Sequence, residues 1–294
     1  MRTLSKSRLA DGLVCLKKAH LSLHKPELKA EVTETQQAVF DSGTSIGIEA
    51  RKTFPGGVLV DRENWDIKNA LKDTKELIEA GTNTIYEASL GNNEYYCAVD
   101  ILERKNTNSP WNVYEVKSGL DPKATYILDV AIQCWILNKL GIKWESAFIV
   151  HLNRDCEFPN LENLFVRSDV TDSVNDLIED LENSIAEIRS TVENPGTIPA
   201  IDIGRHCDNP YECGFKGHCW SHVPEYSVFD LPLSWRLFEK GYLSLDQVNP
   251  DDLSESQKLP FDVATNNHTH IDKKGIKKAI EKWQFPIYHL DFET

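Results

Sequence analysis

Residues 95–118 read YYCAVDILERKNTNSPWNVYEVKS, which are two strand-like runs joined by a turn-rich segment. Apolar residues recur through both runs, and Asn, Ser and Pro fill the segment between them, so the pattern predicts a β-hairpin. Residues two apart on a strand point to the same face, which places Glu115 beside Lys117. Asp100 interrupts an otherwise apolar run. If the two runs pair, Asp100 and Glu115 converge on one cation next to Lys117.

These residue types suit the cleavage of phosphodiester bonds. Carboxylates hold a hard divalent ion such as Mg²⁺ or Mn²⁺, and an ammonium group orients the attacking water and offsets developing charge. An E-x-K triplet alone is weak, because exposed strands of this composition are usually solvated. Two further polar residues strengthen the hypothesis: Glu87 in the preceding strand-like run, and Gln133 in a helix where an apolar residue would pack better.

The predicted elements place this hairpin in an α/β domain. Helices are predicted over 4–22, 28–50, 66–80, 123–140 and 170–192, and strands over 84–90, 95–104, 111–118 and 144–153. The helix over 123–140 is apolar on nearly every side, which indicates burial against a sheet. Its polar exceptions, Asp129 and Gln133, are four residues apart and share a face. We expect a mixed central sheet flanked by helices.

Composition and charge narrow the functional classes. The 294 residues are 40% hydrophobic and 27% charged, as in ordinary globular proteins, and the length suggests about two domains. No apolar run is long enough for a bilayer and no secretion signal is present, so we expect a cytoplasmic protein without membrane contact. The net charge of −14 disfavours a nonspecific nucleic-acid coat, and any contact with DNA must be local. The absence of a Gly-rich phosphate loop argues against an NTPase motor.

The cysteines predict a metal site. Cys207, Cys213 and Cys219 are evenly spaced in a loop-rich stretch, and three thiolates need a fourth ligand, for which Cys15 is a candidate. The alternative is zinc held by these three cysteines and one histidine, which would be His206, His218 or His222. The remaining cysteines, Cys97, Cys134 and Cys156, are expected to be buried strand or helix residues. A metal held in either of these two ways would be structural, because a fully ligated site leaves no open position for chemistry.

The motifs resemble those of the PD-(D/E)XK nuclease superfamily, and within it the RecB-like iron–sulfur exonuclease branch that includes CRISPR-associated RecB-like nucleases. AVDIL around Asp100 corresponds to the aspartate motif, with Val99 in place of proline, and EVK corresponds to the (D/E)XK motif. Gln133 corresponds to the glutamine of a Q-x-x-x-Y motif, whose tyrosine is replaced by Leu137. Many RecB-like enzymes carry a metal-binding histidine in a G-x-x-x-H pattern, and GTSIG puts Gly47 at that place.

The resemblance implies a Mg²⁺- or Mn²⁺-dependent deoxyribonuclease, an exonuclease in particular, that acts on single-stranded DNA or a duplex end. The residues that match the catalytic motifs would be Asp100 and Glu115 as metal ligands with Glu87, Lys117 as the water-positioning group, and Gln133 as the orienting group. The resemblance also implies a [4Fe-4S] cluster that staples the fold through Cys15, Cys207, Cys213 and Cys219. Protein partners in DNA repair or in phage or CRISPR defence are left unspecified. Two alternatives stay open: a catalytically silent iron–sulfur module for DNA binding or assembly, and a zinc-stabilised interaction protein.

The end of the chain resembles a second family. IYHLDFET is similar to the D-x-E-T motif of DnaQ-like exonucleases, in which Asp291 and Glu293 would bind metal. The order of motifs resembles a bacterial family in which a RecB-like iron–sulfur nuclease precedes a DnaQ-like domain. We therefore expect a nuclease domain over 1–225, a helical linker region over 226–284 with helices at 227–245 and 272–284 and a polar linking segment at 249–270, and the first strand of a truncated DnaQ-like domain over 285–294.

Overall fold

The computed structural model describes residues 3–61 and 66–291, which form two compact units, one ending at Cys219 and the other beginning at Trp220. The strands are β1 (Leu4–Ser5), β2 (Val58–Leu59), β3 (Thr84–Gly91), β4 (Tyr95–Glu103), β5 (Trp111–Lys117), β6 (Trp144–Leu152) and β7 (Phe165–Asp169). The helices are α1 (Lys6–Val14), α2 (Leu16–His24), α3 (Glu34–Arg51), α4 (Ile67–Glu79), α5 (Ala124–Lys139), α6 (Thr171–Glu193), α7 (Lys216–Cys219), α8 (Ser234–Phe238), α9 (Glu255–Thr265) and α10 (Lys273–Ile280). None of the helices within these described ranges is both long and apolar enough to cross a membrane.

The first unit is built on one mixed sheet in the order β2-β3-β4-β5-β6-β7, with β1 paired to β4. β3, β4 and β5 form an antiparallel meander, as their turn-separated runs predict. β5 and β6 are parallel, so the chain must cross over one face of the sheet between them, and α5 is this crossover. The expected mixed sheet flanked by helices is confirmed.

The helix α5 forms the centre of the hydrophobic core. All residues from Val130 to Leu137 are buried, because α5 packs against β4, β5 and β6 and also against α6. The amphipathic helix α6 packs its apolar side against α5, and Val174, Leu181 and Ile185 lie in this core. Each fully buried aliphatic side chain contributes roughly 1.5–3 kcal/mol. The nearly uniform apolarity of α5 is therefore explained by contacts on two sides.

The strands β4 and β5 separate towards the end of β4 that pairs with β1. Their ladder covers only the β4 residues Ile101–Glu103, whereas Tyr95 and Tyr96 pair with β1. Since β3 already occupies one edge of β4 at Tyr96, β1 must lie on the edge that faces β5. The N-terminus of α1 is thereby placed beside the opening between β4 and β5.

The predicted N-terminal helix over 4–22 is wrong in two respects, because its first two residues form β1 and the remainder forms two helices. Cys15 has an extended backbone with φ −161° and ψ 117°, and it ends α1 and begins α2. The helix predicted over 28–50 begins later, at Glu34, where Thr33 and Gln36 form a capping box. The short strands β1, β2 and β7 were not predicted.

The second unit differs more from the expectation. The helix predicted over 227–245 is wrong: only the five residues of α8 are α-helical, and Leu233 before them has a left-handed backbone with φ 54°. The segment predicted as a linker contains α9, whose capping box at Ser254 and Gln257 is an overlooked N-terminal signal. The predicted terminal strand is absent up to Asp291, which is exposed, and Glu293 lies outside the described residues.

Candidate active site and cysteine pocket

The carboxylates predicted to converge lie at the opening between β4 and β5. Ile101 pairs with Tyr114, so Asp100 and Glu115 are the next opposed positions, just beyond the end of the ladder. The backbone N–H of Val116 donates to Asp100 Oδ2 over 2.7 Å. A carboxylate thus joins the two strands where their backbone hydrogen bonds stop, and the hairpin prediction for Asp100 and Glu115 is confirmed as a juxtaposition.

The buried Glu115 carboxylate is the centre of a hydrogen-bonded network. Its Oε1 accepts from Lys6 Nζ and from Lys117 Nζ, each over 2.9 Å. Its Oε2 accepts from Gln133 Nε2 over 2.5 Å. Lys117 Nζ also donates to Asp129 Oδ2 over 2.6 Å. The structure therefore brings together Glu115, Lys117 and Gln133, which are three of the four residues predicted to act in catalysis, and Asp100 is opposite them.

The helix α5 supplies two of these groups from one face. Asp129 and Gln133 are four residues apart, which places them one turn from each other along the helix. Gln133 is fully buried, and its Oε1 has no hydrogen-bond partner among the described residues. An unsatisfied buried oxygen costs roughly 1–3 kcal/mol, so it calls for a ligand or a functional reason. Leu137, at the tyrosine position of the family motif, lies in the hydrophobic core.

The two central carboxyl groups have opposite pKa shifts. Burial raises the pKa of Asp100 to about 7, and the neighbouring Glu115 and Glu87 act in the same direction. Burial would also raise the pKa of Glu115, but the ammonium groups of Lys6 and Lys117 outweigh it and lower that pKa to about 2. Carboxyl pairs with separated pKa values are a common feature of acid–base and metal sites.

Glu87 lies on β3, opposite Asp100 on β4. The neighbouring pairs are Tyr86 with Ile101 and Ala88 with Val99, so Glu87 stands at the intervening position opposite Asp100. Its backbone is left-handed, with φ 54°, a conformation that costs of order 1–3 kcal/mol for a residue other than glycine. The side chain accepts from Arg51 Nη2 over 2.7 Å. Backbone strain of this kind concentrates at functional sites.

Three residues that contact the predicted site residues were given no role from the sequence: Lys6, Arg51 and Asp129. Lys6 and Arg51 reach their carboxylate partners from 109 and 36 residues away, and no local pattern marks such pairs. Asp129 carried a signal, because it is a charged residue on the same face as Gln133 in an apolar helix, but no role was assigned to it. Its contact with Lys117 now gives it one.

Gly47, which stands where the family carries a histidine, lies in α3 one turn before Arg51. A Cβ atom built at Gly47 would have no atom within 4 Å. We expect Gly47→Ala to raise the free energy of unfolding by about 0.5–1 kcal/mol, because alanine loses less backbone entropy than glycine in a helix interior. Urea unfolding of the two proteins measures this. A destabilised alanine variant would show that the position is sterically restricted.

The four predicted cluster ligands line one pocket. Cys15, at the break between α1 and α2, faces the same space as Cys207, Cys213 and Cys219. Burial raises the pKa of the Cys213 and Cys219 thiols, and the other cysteines of the pocket raise both further. Lys17 Nζ donates to the carbonyl of Ile201 over 2.7 Å and so fixes this N-terminal segment against the later loop. The predicted convergence of cysteines from the two ends of the unit is present in the structure.

The remaining cysteines differ from one another. Cys97 and Cys134 are fully buried in the core, as predicted. Cys156 does not follow the prediction, because it is half-buried in a turn, where its thiol donates to the carbonyl of Asn160.

In the part of the chain that the structure describes, no three or more His, Cys, Asp or Glu side chains are arranged to hold one metal ion. The Glu115 carboxylate is instead paired with Lys6 and Lys117. In a [4Fe-4S] cluster each thiolate binds a different iron, so its ligands need not meet around one point. Of the histidines considered for zinc, His206 lines the cysteine pocket.

Comparisons with known proteins give no family. The chain matches no protein-family model and no curated protein. An alkaline exonuclease (LHK-Exo) from Laribacter hongkongensis is similar at 14% identity over 65% of this chain and 90% of its own, with a TM-score of 0.37. The same exonuclease in complex with dAMP is similar at 15% identity over 65% and 90%, with a TM-score of 0.35. The structure of SSO0001 is similar at 11% identity over 76% of this chain and 87% of its own, with a TM-score of 0.38.

Proposed function

We propose that this chain is a Mg²⁺- or Mn²⁺-dependent DNA nuclease of the PD-(D/E)XK type, with exonuclease action as the expected mode. The observation that carries the proposal is the convergence of Asp100, Glu115 and Lys117 at the point where β4 and β5 part. Gln133 and Asp129 complete the arrangement from α5. A solvated strand face, the alternative for an E-x-K triplet, does not bury its glutamate in such a network.

The residue types of the donor set suit a hard divalent ion, although the described side chains are not arranged around one point. The ligands offered are carboxylate oxygens of Asp100, Glu115 and Glu87, and the unpartnered Gln133 Oε1 adds a neutral oxygen. Mg²⁺ and Mn²⁺ prefer oxygen ligands, whereas softer ions prefer nitrogen and sulfur. When bound, such an ion polarises the phosphate and helps to generate the attacking hydroxide.

The other residues have roles that follow from their contacts. Lys117 is held between Glu115 and Asp129; burial alone would lower the pKa of its ammonium group, but these two carboxylates raise it. The group therefore stays charged and can hold a water in line with the phosphorus while offsetting charge in the transition state. Gln133 donates to Glu115 and fixes the orientation of that carboxylate.

The raised pKa of Asp100 leads to a prediction about pH. Below pH 7 the carboxyl group is mostly protonated, so a divalent ion that binds it must displace the proton. We expect Mn²⁺ binding to release close to one proton per ion at about pH 6 and almost none at about pH 8, with affinity rising up to about pH 7. Calorimetry in buffers of different ionisation enthalpy measures this release. The Asp100→Asn variant should show none, and a wild-type protein without proton release at pH 6 would contradict the assignment.

The cysteine pocket supports the second part of the proposal, a [4Fe-4S] cluster held by Cys15, Cys207, Cys213 and Cys219, as in the RecB-like iron–sulfur branch. Four thiolates suit an iron–sulfur cluster, which would join the two ends of the first unit. With every ligand position taken by sulfur, its contribution is to stability. Zinc bound by three cysteines and His206 is the competing assignment, and iron, sulfide and zinc analysis of one anaerobic preparation separates the two.

Cleavage of labelled DNA tests the nuclease proposal. Anaerobically purified protein is incubated with Mn²⁺ and single-stranded or duplex oligonucleotides labelled at either end, with closed circular DNA as the matched substrate without ends. We expect metal-dependent cleavage of the linear substrates and resistance of the circle. Binding of DNA without cleavage would favour the catalytically silent module, for which the occupied Glu115 carboxylate and Gly47 are the supporting observations.

The division at residue 225 and the DnaQ-like character of the chain end stay predictions. A DnaQ-like site needs carboxylates from further segments to hold its two metal ions. Asp291 should therefore be dispensable for the cleavage proposed here.

A further inference from the structure

Two ammonium groups share one oxygen of Glu115. Lys6 Nζ and Lys117 Nζ both lie 2.9 Å from Glu115 Oε1. Like charges this close repel each other, and one lysine would be enough to neutralise the carboxylate. The second lysine places a second unit of positive charge on a buried ligand of the proposed divalent ion.

The backbone of Lys6 is fixed, although its side chain ends in the site. Ser5 pairs with β4, and its hydroxyl caps α1 by accepting from the Arg8 N–H over 3.3 Å. Leu4 and Leu9 are fully buried on either side of this start. Lys6 itself keeps 21% of its side-chain surface exposed, so the long side chain can move while its Cα stays in place.

The two lysines are not equivalent. Lys117 has a second carboxylate partner in Asp129, at 2.6 Å. For Lys6, Glu115 is the one carboxylate within 4.0 Å among the described residues. A divalent ion on Glu115 with both lysines in place would gather four positive charges around one carboxylate oxygen. The ammonium with the fewer anchors, Lys6, is the one that the ion would displace.

We propose that Lys6 occupies the Glu115 carboxylate in place of the divalent ion and, once the ion binds, transfers to a phosphate of the DNA. This inference rests on the proposed function and adds a substrate-binding residue to it. A displaced, partly exposed ammonium needs a new anion, and lysine binds phosphate as a compact charge. The DNA backbone is the anion that the proposed reaction brings to this place. Lys6 would then link ion binding to DNA binding.

The competition between Lys6 and the divalent ion is tested by Mn²⁺ binding. Electron paramagnetic resonance measures the amount of Mn²⁺ that is bound. Lys6→Met removes the competing charge and keeps the length of the side chain, so we expect Mn²⁺ to bind about tenfold more tightly, as for a carboxylate freed of a neighbouring cation. Lys139→Met is the matched control, because it removes a lysine from an exposed ion pair with Glu182, which spans 2.7 Å. The control should bind Mn²⁺ like the wild type.

The transfer of Lys6 to a DNA phosphate is tested by DNA binding. Fluorescence anisotropy of a phosphorothioate oligonucleotide, which resists cleavage, measures it. With Mn²⁺, Lys6→Met should bind about three- to tenfold more weakly than the wild type, and the slope of log K against log salt should fall by about one. Without the ion the two proteins should bind alike, since Lys6 then remains on Glu115. An equal loss in both conditions would show a general charge effect and overturn the transfer.

The outcomes for Lys6 and for the nuclease are separable. Unchanged or weaker Mn²⁺ binding in Lys6→Met overturns the inference, because Lys6 would then only support Glu115. If that variant melts below the wild type, Lys6→Gln replaces it under the same criteria. A wild type that never cleaves DNA defeats the proposed function, whereas the expected Mn²⁺ and anisotropy results for Lys6 would still establish the exchange.

Discussion

Replacing Asp100 by asparagine is expected to lower the rate of Mn²⁺-dependent DNA cleavage by about 10²–10³, the usual cost of removing one electrostatic group from a transition state. The variant keeps the size of the side chain and an oxygen that can accept from the Val116 N–H, so the join between β4 and β5 is preserved. It loses the negative charge that the ion needs. Single-turnover cleavage of an end-labelled oligonucleotide measures the change.

Two further variants separate the roles within the site. Lys117→Met should reduce cleavage to a similar degree but leave Mn²⁺ bound, because the role proposed for Lys117 is to position the water and not to bind the ion. Asp172→Asn removes an exposed carboxylate from the first turn of α6 and should cleave like the wild type. A wild-type rate in Asp100→Asn, with intact metal dependence, would remove Asp100 from the active site.

The elements that carry the site could be predicted from the sequence because their signals are local. The strands and helices predicted between residues 66 and 192 lie within one residue of their observed ends, since apolar periodicity and turn residues define them. Gln133 was identified for a related reason: a polar residue is unfavourable in a helix buried on two sides unless it has a function. Local chemistry was sufficient for these features.

The long-range pairs could not be predicted in this way. Lys6 follows a two-residue strand whose pairing with β4 has no sequence signature, and its partner Glu115 lies 109 residues later. The left-handed backbone of Glu87 is equally invisible, because nothing in IYEAS disfavours an ordinary strand. Tertiary pairing decides both, and local propensity does not report it.

The pocket of four cysteines is expected to contribute a large part of the stability of the first unit. Cys15 and Cys207 are separated by almost two hundred residues, so a cluster that joins them removes much of the entropy of the unfolded chain, worth about 5 kcal/mol for a loop of this size. Cys15→Ser breaks this long closure. We expect its melting temperature under anaerobic conditions to fall by about 10–20 °C, given about 2–4 °C per kcal/mol for a unit of this size.

Comparison among cysteines makes this expectation specific. In the proposed cluster each thiolate would hold one iron, so serine at Cys15, Cys207, Cys213 or Cys219 should remove the brown colour of the protein and lower its iron and sulfide content. Cys156→Ser is the control for a half-buried thiol outside the pocket and should keep both colour and stability. A wild-type melting temperature in Cys15→Ser, or zinc without sulfide in the wild type, would contradict a stapling iron–sulfur cluster.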